Sequence, residues 1–387
     1  MTARLFEASW HQARAAVFNA CTPSESVRVP LSDGLGKVLA GNVVALSDLP
    51  PFAASRIDGW AVAGQGPWEI QDSINAGDVA SVALTDGQCV HIATGAALPV
   101  GTIACLRDEW SSRSGSTVST SHDLSPGQDI RPAGYEAHRD EVLVTAGTHV
   151  TPGILGVIAS AGHDFIDVYR PLTVNVLIFG NEILTSGTSG AGKVRDSLGP
   201  QLPGWIGELG MTCLSVMHIH DTLDAHLEAL AQCTADVIVT SGGTAAGPVD
   251  FLHEAISQRG GKFIVDAVKV RPGYHQLYAR IGSQHVIGLP GNPQSAIISL
   301  LTLAQPLVAA ASNQAFPIWP EVELAHDLEN AGDESRMVLV SLKANVAHAV
   351  EFLDSSMLRG FVDATGYCLI PAGGLKQGAL AEYFPLP

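Results

Sequence analysis

Charge is scarce in this 387-residue chain, and cations are scarcer than acids: 21 Lys and Arg face 38 Asp and Glu, and charged residues make up only 15%. The net charge of −17 sets the molecule as a whole against the phosphates of nucleic acid and against an anionic membrane surface. A locally basic pocket for a small anion survives that exclusion. The six cysteines (Cys21, Cys89, Cys105, Cys213, Cys233 and Cys368) include no CxxC pair, so neither a zinc site nor a disulfide framework is indicated. They read as buried free thiols in a reducing compartment, the cytoplasm. Long apolar runs are missing as well. The most apolar segment, SAIISLLTLAQPLVAAA from Ser295 to Ala311, is broken by Gln305 and Pro306 and reads as a buried helix rather than a membrane span. The opening stretch MTARLFEASWHQARAAVF carries Glu7 and His11 where a secretory signal would be apolar. It reads as an amphipathic helix with Phe6, Trp10, Ala13 and Val17 on one face. The chain contains neither GxxxxGK[ST] nor GxGxxG, so it carries no Walker loop and no dinucleotide fingerprint.

Hydrophobic residues are plentiful at 46%, and the length exceeds one ordinary core. The expected fold class is α/β plus β: a multi-domain chain with a central doubly wound, mostly parallel α/β domain and small β domains. The texture divides into residues 1–45 plus 140–171 as a helical-extended linker domain, 46–139 as a small β domain, 172–312 as the α/β domain, and 317–387 as a C-terminal β domain. The third part is the clearest. VNVLIFG, CLSVMHI, DVIVTSGG, KFIVDAVKV, QLYARIG and HVIGLPG read as strands, with helices between and after them. In the last part EVELA, MVLVSLK, AVEFLD and YCLIPAGG read as short strands. In an open α/β sheet, ligands bind beyond the carboxyl ends of the strands.

Three such ends carry unusual loops. IFGNEI places Asn181 and Glu182 directly after a strand. VTSGGTAAGPVD offers Ser241, Gly242, Gly243 and Thr244, whose backbone N–H groups and hydroxyls suit an anion, and then Asp250, a helix cap or a magnesium ligand. GLPGNPQSA sets Pro290, Gly291, Asn292 and Ser295 at a helix start. One glycine-rich turn is usually structural. Three along one sheet edge favour anion binding.

SGGTAAGPVDF and GLPGNPQSA resemble the SGGxSxGxxD and GLPGNPVSA loops of molybdopterin molybdenumtransferases, which are related to the gephyrin E domain. PPFAASRIDGWAV, HIATGAALP and GQDIRPAGYE are similar to further segments of that family, in the same order along nearly the whole chain. The resemblance implies an elongated homodimer with four-domain subunits. It implies transfer of molybdate onto adenylylated molybdopterin with release of AMP, assisted by Mg²⁺. It also implies a possible adenylyltransferase partner upstream and molybdoenzymes downstream, with no nucleic-acid or membrane partner. By position it assigns Asp58, Glu182, Asp221, Asp250 and Arg271 to catalysis. Thr94, Glu136, Ser241, Gly242, Gly243, Thr244, Lys269, Pro290, Gly291, Asn292 and Ser295 would bind substrate, Glu182 and Asp250 would hold metal, and Arg336 and Ser356 would contact the oxyanion. The chain departs from the pattern in two places. The family's GDE reads Gly180-Asn181-Glu182, and its KxxxKPGKP reads Ala267 to His275, with Arg271 keeping one cation and Tyr274 replacing another. A binding protein of the same fold with little transferase activity is the alternative.

Overall fold

The computed structural model describes residues 4–79, 83–244 and 251–386. The chain divides into two compact units: Arg28–Val168, and a discontinuous unit of Met1–Val27 with Tyr169–Pro387.

The discontinuous unit is built on a seven-stranded sheet. Its strands in chain order are β1 (Leu5–Ala8), β2 (Thr173–Phe179), β3 (Thr212–Ile219), β4 (Val237–Ser241), β5 (Lys262–Val268), β6 (Leu277–Ile281) and β7 (Gln284–Leu289), laid side by side as β1-β5-β6-β7-β4-β2-β3. β7, β4, β2 and β3 run parallel, as do β1 and β5, while β6 is antiparallel to both its neighbours. The mostly parallel reading therefore holds. Strand alternation decides which core each side chain joins. Val174, Val176 and Ile178 enter a core shared with α1 (Trp10–Asn19), α2 (Leu198–Glu208) and α5 (Pro293–Ala311). Leu177 and Phe179, one step out of phase, join a second core with α3 (Leu223–Gln232) and α4 (Leu252–Gln258). A sheet covered on both faces needs the near-continuous apolar strands that the sequence displays.

α5 is the expected core helix. Nearly all of its 19 residues are buried, the pattern of a helix that is apolar all round. At the N-terminus the expectation needs correction. Phe6 is not on a helix face; it lies in β1 and is 67% exposed. The helix starts at Trp10 because Ser9 and Gln12 form a capping box, with Gln12 N–H donating to Ser9 Oγ (3.2 Å) and Ser9 N–H to Gln12 Oε1 (3.0 Å). Residues 5–8 instead pair with the open edge of the sheet at β5.

At the other end of the chain, five strands close on themselves in the order Ser335–Lys343, Val346–Ala349, Glu321–Leu324, Leu380–Pro385 and Gly366–Ile370, the last pairing back to the first. Closure removes the exposed edges a small sheet would present. Of the expected strand AVEFLD, only Ala349 is extended in a ladder. The chain turns at Phe352 (φ +64°), and the missing partner strand is Leu380–Pro385. KFIVDAVKV is likewise two pieces: β5 belongs to the central sheet, while Val270–Arg271 pairs with Ser335–Arg336 of the closed sheet.

The Arg28–Val168 unit holds a six-stranded sheet. Its order is Ala104–Arg107, Gly59–Ala63, Gln88–Ile92, Trp68–Ile74, Thr117–Ser119 and Ser112–Ser114, the last two forming a hairpin. Helix Pro152–Ser160 begins at Thr151, whose hydroxyl accepts from Ile154 N–H at 3.3 Å.

Candidate active site

The four parallel strands β7, β4, β2 and β3 end level, with Ile178 opposite Ser241, Ser241 opposite Leu289, and Phe179 opposite Ile219. Their loops therefore open on one edge and enclose a cleft of about 790 Å³. Glu182, Asp221, Ser241, Gly242, Gly243, Thr244, Pro290, Gly291 and Asn292 all line it, so the structure brings together every described residue expected from these loops except Ser295. Gly242 (φ +83°) and Gly243 (φ +68°) adopt left-handed backbone that a side chain would resist. Gly242 N–H donates to Leu289 O at 2.8 Å, which ties the second loop to the third. A Cβ on Gly288 would stand 2.6 Å from Leu277 Cγ and 2.9 Å from Thr244 Cγ2, so the loops are pressed together just behind the cleft floor.

A second cleft of about 720 Å³ adjoins the first, lined by Arg271, Ser295, Glu334, Arg336 and Asp354 among others. His275, Pro290 and Asn292 line both. Asn292 is the N-cap residue of α5, but its side chain makes no capping bond; its amide donates to Ser355 Oγ at 3.1 Å. Arg271 is committed to Glu334 through two bonds of 2.8 and 3.1 Å. Arg336 donates to Glu329 O at 2.9 Å. Ser356, expected beside Arg336, lines the first cleft instead, where Asp354 accepts from its N–H (3.0 Å) and hydroxyl (2.7 Å). Lys269 lines neither cleft, and its Nζ is 4.0 Å from Glu7. Tyr274 donates its hydroxyl to Glu7 as well, which pushes the phenol up to about 12.

Asn181, at the family's aspartate position, is held in a network of its own. Its N–H donates to Asp221 Oδ2 (3.0 Å), and its Oδ1 accepts from Asp221 N–H (3.3 Å) and lies 3.1 Å from His220 Nδ1. Residues 180–182 and 221 are thereby locked together.

Three polar cleft residues went unread in the sequence: Arg195, Asp196 and Ser197. Asp196 Oδ1 accepts from Leu198 N–H (3.0 Å) and Gly199 N–H (2.9 Å), so it caps α2, and its Oδ2 lies 2.7 Å from His218 Nε2. An Asp-Ser pair ahead of an apolar helix was the signal available for it.

Asp58 and Thr94 lie in the Arg28–Val168 unit. The pairing of Gly59 with Ile92 brings them side by side, and Thr94 N–H (2.7 Å) and hydroxyl (3.0 Å) both donate to Asp58 Oδ1. Those donors lower the Asp58 carboxyl below the usual carboxylate range. Gly59 is obligatory there, since a Cβ would meet Leu106 O at 2.1 Å. Glu136, in the same unit, is exposed, and its N–H donates to Leu49 O at 2.8 Å.

Magnesium was expected at Glu182 and Asp250. Asp250 lies outside the described residues. Among the described residues no group of three His, Cys, Asp or Glu side chains is spaced to hold a metal. Mg²⁺ commonly takes one or two protein carboxylates and completes its shell with water and substrate phosphate, and Glu182 and Asp221, which both line this cleft, are donors of that kind.

Glycine loops and carboxylates lining a cleft at the carboxyl edge of a parallel sheet define an α/β protein with appended β strands. Comparison with known proteins narrows the class. Residues 8–162 match the MoeA N-terminal region (domain I and II), and residues 175–310 match the probable molybdopterin binding domain. The chain is 28% identical to the molybdopterin molybdenumtransferase of Bacillus subtilis, over 92% of this chain and 89% of that one. It is 26% identical to that of Staphylococcus aureus strain COL, over 94% and 91%. A crystal structure of the molybdopterin biosynthesis MoeA protein from Pyrococcus horikoshii superposes with a TM-score of 0.83 at 25% identity, covering 98% of this chain and 99% of that one. The chain belongs to the molybdopterin molybdenumtransferase family.

Proposed function

We propose that this chain loads molybdate onto adenylylated molybdopterin and releases AMP. The observation that carries the reading is the pair of adjoining clefts, one floored by glycine loops and one lined by Arg271 and Arg336, sharing His275, Pro290 and Asn292. In this reading the loop of Ser241, Gly242, Gly243 and Thr244 holds the pterin phosphate through backbone N–H groups and hydroxyls. Glu182 and Asp221 face the same anion and would hold Mg²⁺, which when bound neutralises charge on the phosphate oxygens. The Asn181 network fixes Asp221 in place. Molybdate occupies the neighbouring cleft beside Arg336 and Ser295. Asp58, with its carboxylate held by Thr94, and Glu136 take their roles from the family resemblance alone. The working form is a cytoplasmic homodimer, for which sedimentation equilibrium should return twice the chain mass of 40.4 kDa.

The test is AMP release from adenylylated molybdopterin by purified protein with Mg²⁺ and molybdate. Molybdate-dependent release with active cofactor formed supports the transferase. Tight binding without release would replace it with the binding-protein reading, which the pairing of Arg271 with Glu334 and of Tyr274 with Glu7 favours.

A further inference from the structure

We propose that His275 is an oxyanion-contacting residue at the neck between the two clefts, and that its imidazolium supplies positive charge there, between Arg336 in the second cleft and Arg195 in the first. The inference rests on the transferase reading and names a residue for it. Of the three residues common to both clefts, Pro290 and Asn292 cannot ionise, and His275 can. Arg271 is bound twice by Glu334, and Lys269 sits 4.0 Å from Glu7 outside both clefts. Arg336 stands in the second cleft only and Arg195 in the first only, so neither lines the neck that joins them.

The backbone at His275 is held firmly. Val268 N–H (3.0 Å) and Gln276 N–H (2.9 Å) both donate to Tyr274 O, and Gln276 Nε2 donates to Gly273 O (2.8 Å). Gly273, at φ +112° and with Ser299 Oγ 3.2 Å from where its Cβ would be, gives the turn its shape. The His275 ring itself is exposed, with the Tyr274 ring edge-on at 5.0 Å. A tetrahedral dianion in the second cleft would meet Glu334 and Asp354, and one passing into the first would meet Glu182, Asp196 and Asp221. Such a ligand needs a cation along its path, and a protonated imidazole both offsets charge and donates a hydrogen bond.

This assignment predicts a pH dependence. Carboxylates as a class titrate below neutrality and guanidinium groups above it, so a change near neutral pH belongs to histidine. The first cleft has two other histidines nearby: His218 lies 2.7 Å from Asp196 Oδ2, and His220 lies 3.1 Å from Asn181 Oδ1. Substitution therefore has to separate His275 from both.

Calorimetric titration of the full chain with molybdate, alongside titration with adenylylated molybdopterin, makes that separation. For the wild type, molybdate affinity should fall about tenfold between about pH 6 and about pH 8. His275→Gln should bind molybdate weakly throughout with that slope gone, while an unchanged thermal midpoint and far-ultraviolet circular dichroism show the fold intact. His275→Lys should restore affinity and hold it across the range. If wild type binds both ligands and His275→Gln keeps the wild-type affinity and slope, His275 is a polar rim residue and the assignment is overturned alone. If wild type binds neither ligand, the transferase reading falls and takes the assignment with it.

Discussion

A substitution in a binding site changes its neighbours' options as well as its own. Asn181 removes a carboxylate from the family pattern, and its amide oxygen then accepts from Asp221 N–H beside the His220 ring. Tyr274 removes a lysine and gives its hydroxyl to Glu7. If these losses limit catalysis, the double change Asn181→Asp with Tyr274→Lys should raise molybdate-dependent AMP release about tenfold, one charge-assisted interaction's worth. Flat turnover in a steady-state assay would show that the remaining groups suffice. Glu182 and the glycines were legible because they directly follow apolar strands, whereas Asp221 was reached only through the family resemblance. The ion pair of Arg271 with Glu334 was not, because it joins residues 63 apart in sequence.

Between elements, close packing leaves little tolerance behind the cleft. Gly288→Ala would press a methyl against Leu277 and Thr244 across the β7–β6 and β7–β4 contacts. Overpacking of that kind costs about 1–3 kcal/mol, so the thermal midpoint should drop while far-ultraviolet circular dichroism keeps its shape. An unchanged midpoint would mean that the loops can part. The start of β2 is tied to β4 by Asp236, which accepts from Arg170 (2.8 and 3.1 Å) and from Thr173 N–H and hydroxyl (2.8 and 2.7 Å). The Arg170 bonds, first among these causes, hold its carboxyl far below the usual range. A depressed carboxylate stabilises the fold above its unfolded pKa of about 3.9, and that contribution is lost as pH falls toward the folded value. Asp236→Asn should thus lower stability at neutral pH and flatten the loss of stability below about pH 4, as read by denaturant titration. Parallel curves for variant and parent would exclude this linkage. Strand and helix types were readable from periodicity. The strand at Leu5–Ala8 was not, because a four-residue edge strand gains its stability from β5, far along the chain.

Over the whole molecule, the two units differ in how they are assembled. Arg28–Val168 is a single uninterrupted stretch with its own cores, whereas the other unit needs Met1–Val27 as well as Tyr169–Pro387. The isolated 28–168 segment should therefore fold cooperatively, giving a dispersed NMR spectrum and a single thermal transition. A chain of residues 169–387 alone should be destabilised, because it lacks Trp10, Ala13 and Val17 from the core beneath α5. A collapsed spectrum for 28–168 would show that the units depend on each other. Some of this protein is set by local order along the chain. The apolar strands dictate a covered parallel sheet, the glycines after them dictate loops able to approach an anion, and the deficit of cations sets the molecule as a whole against phosphate polymers. Which cations stay free, which residue stands between the clefts and which strand closes the C-terminal sheet were decided only on folding, since each depends on charges and backbone edges that meet across the sequence.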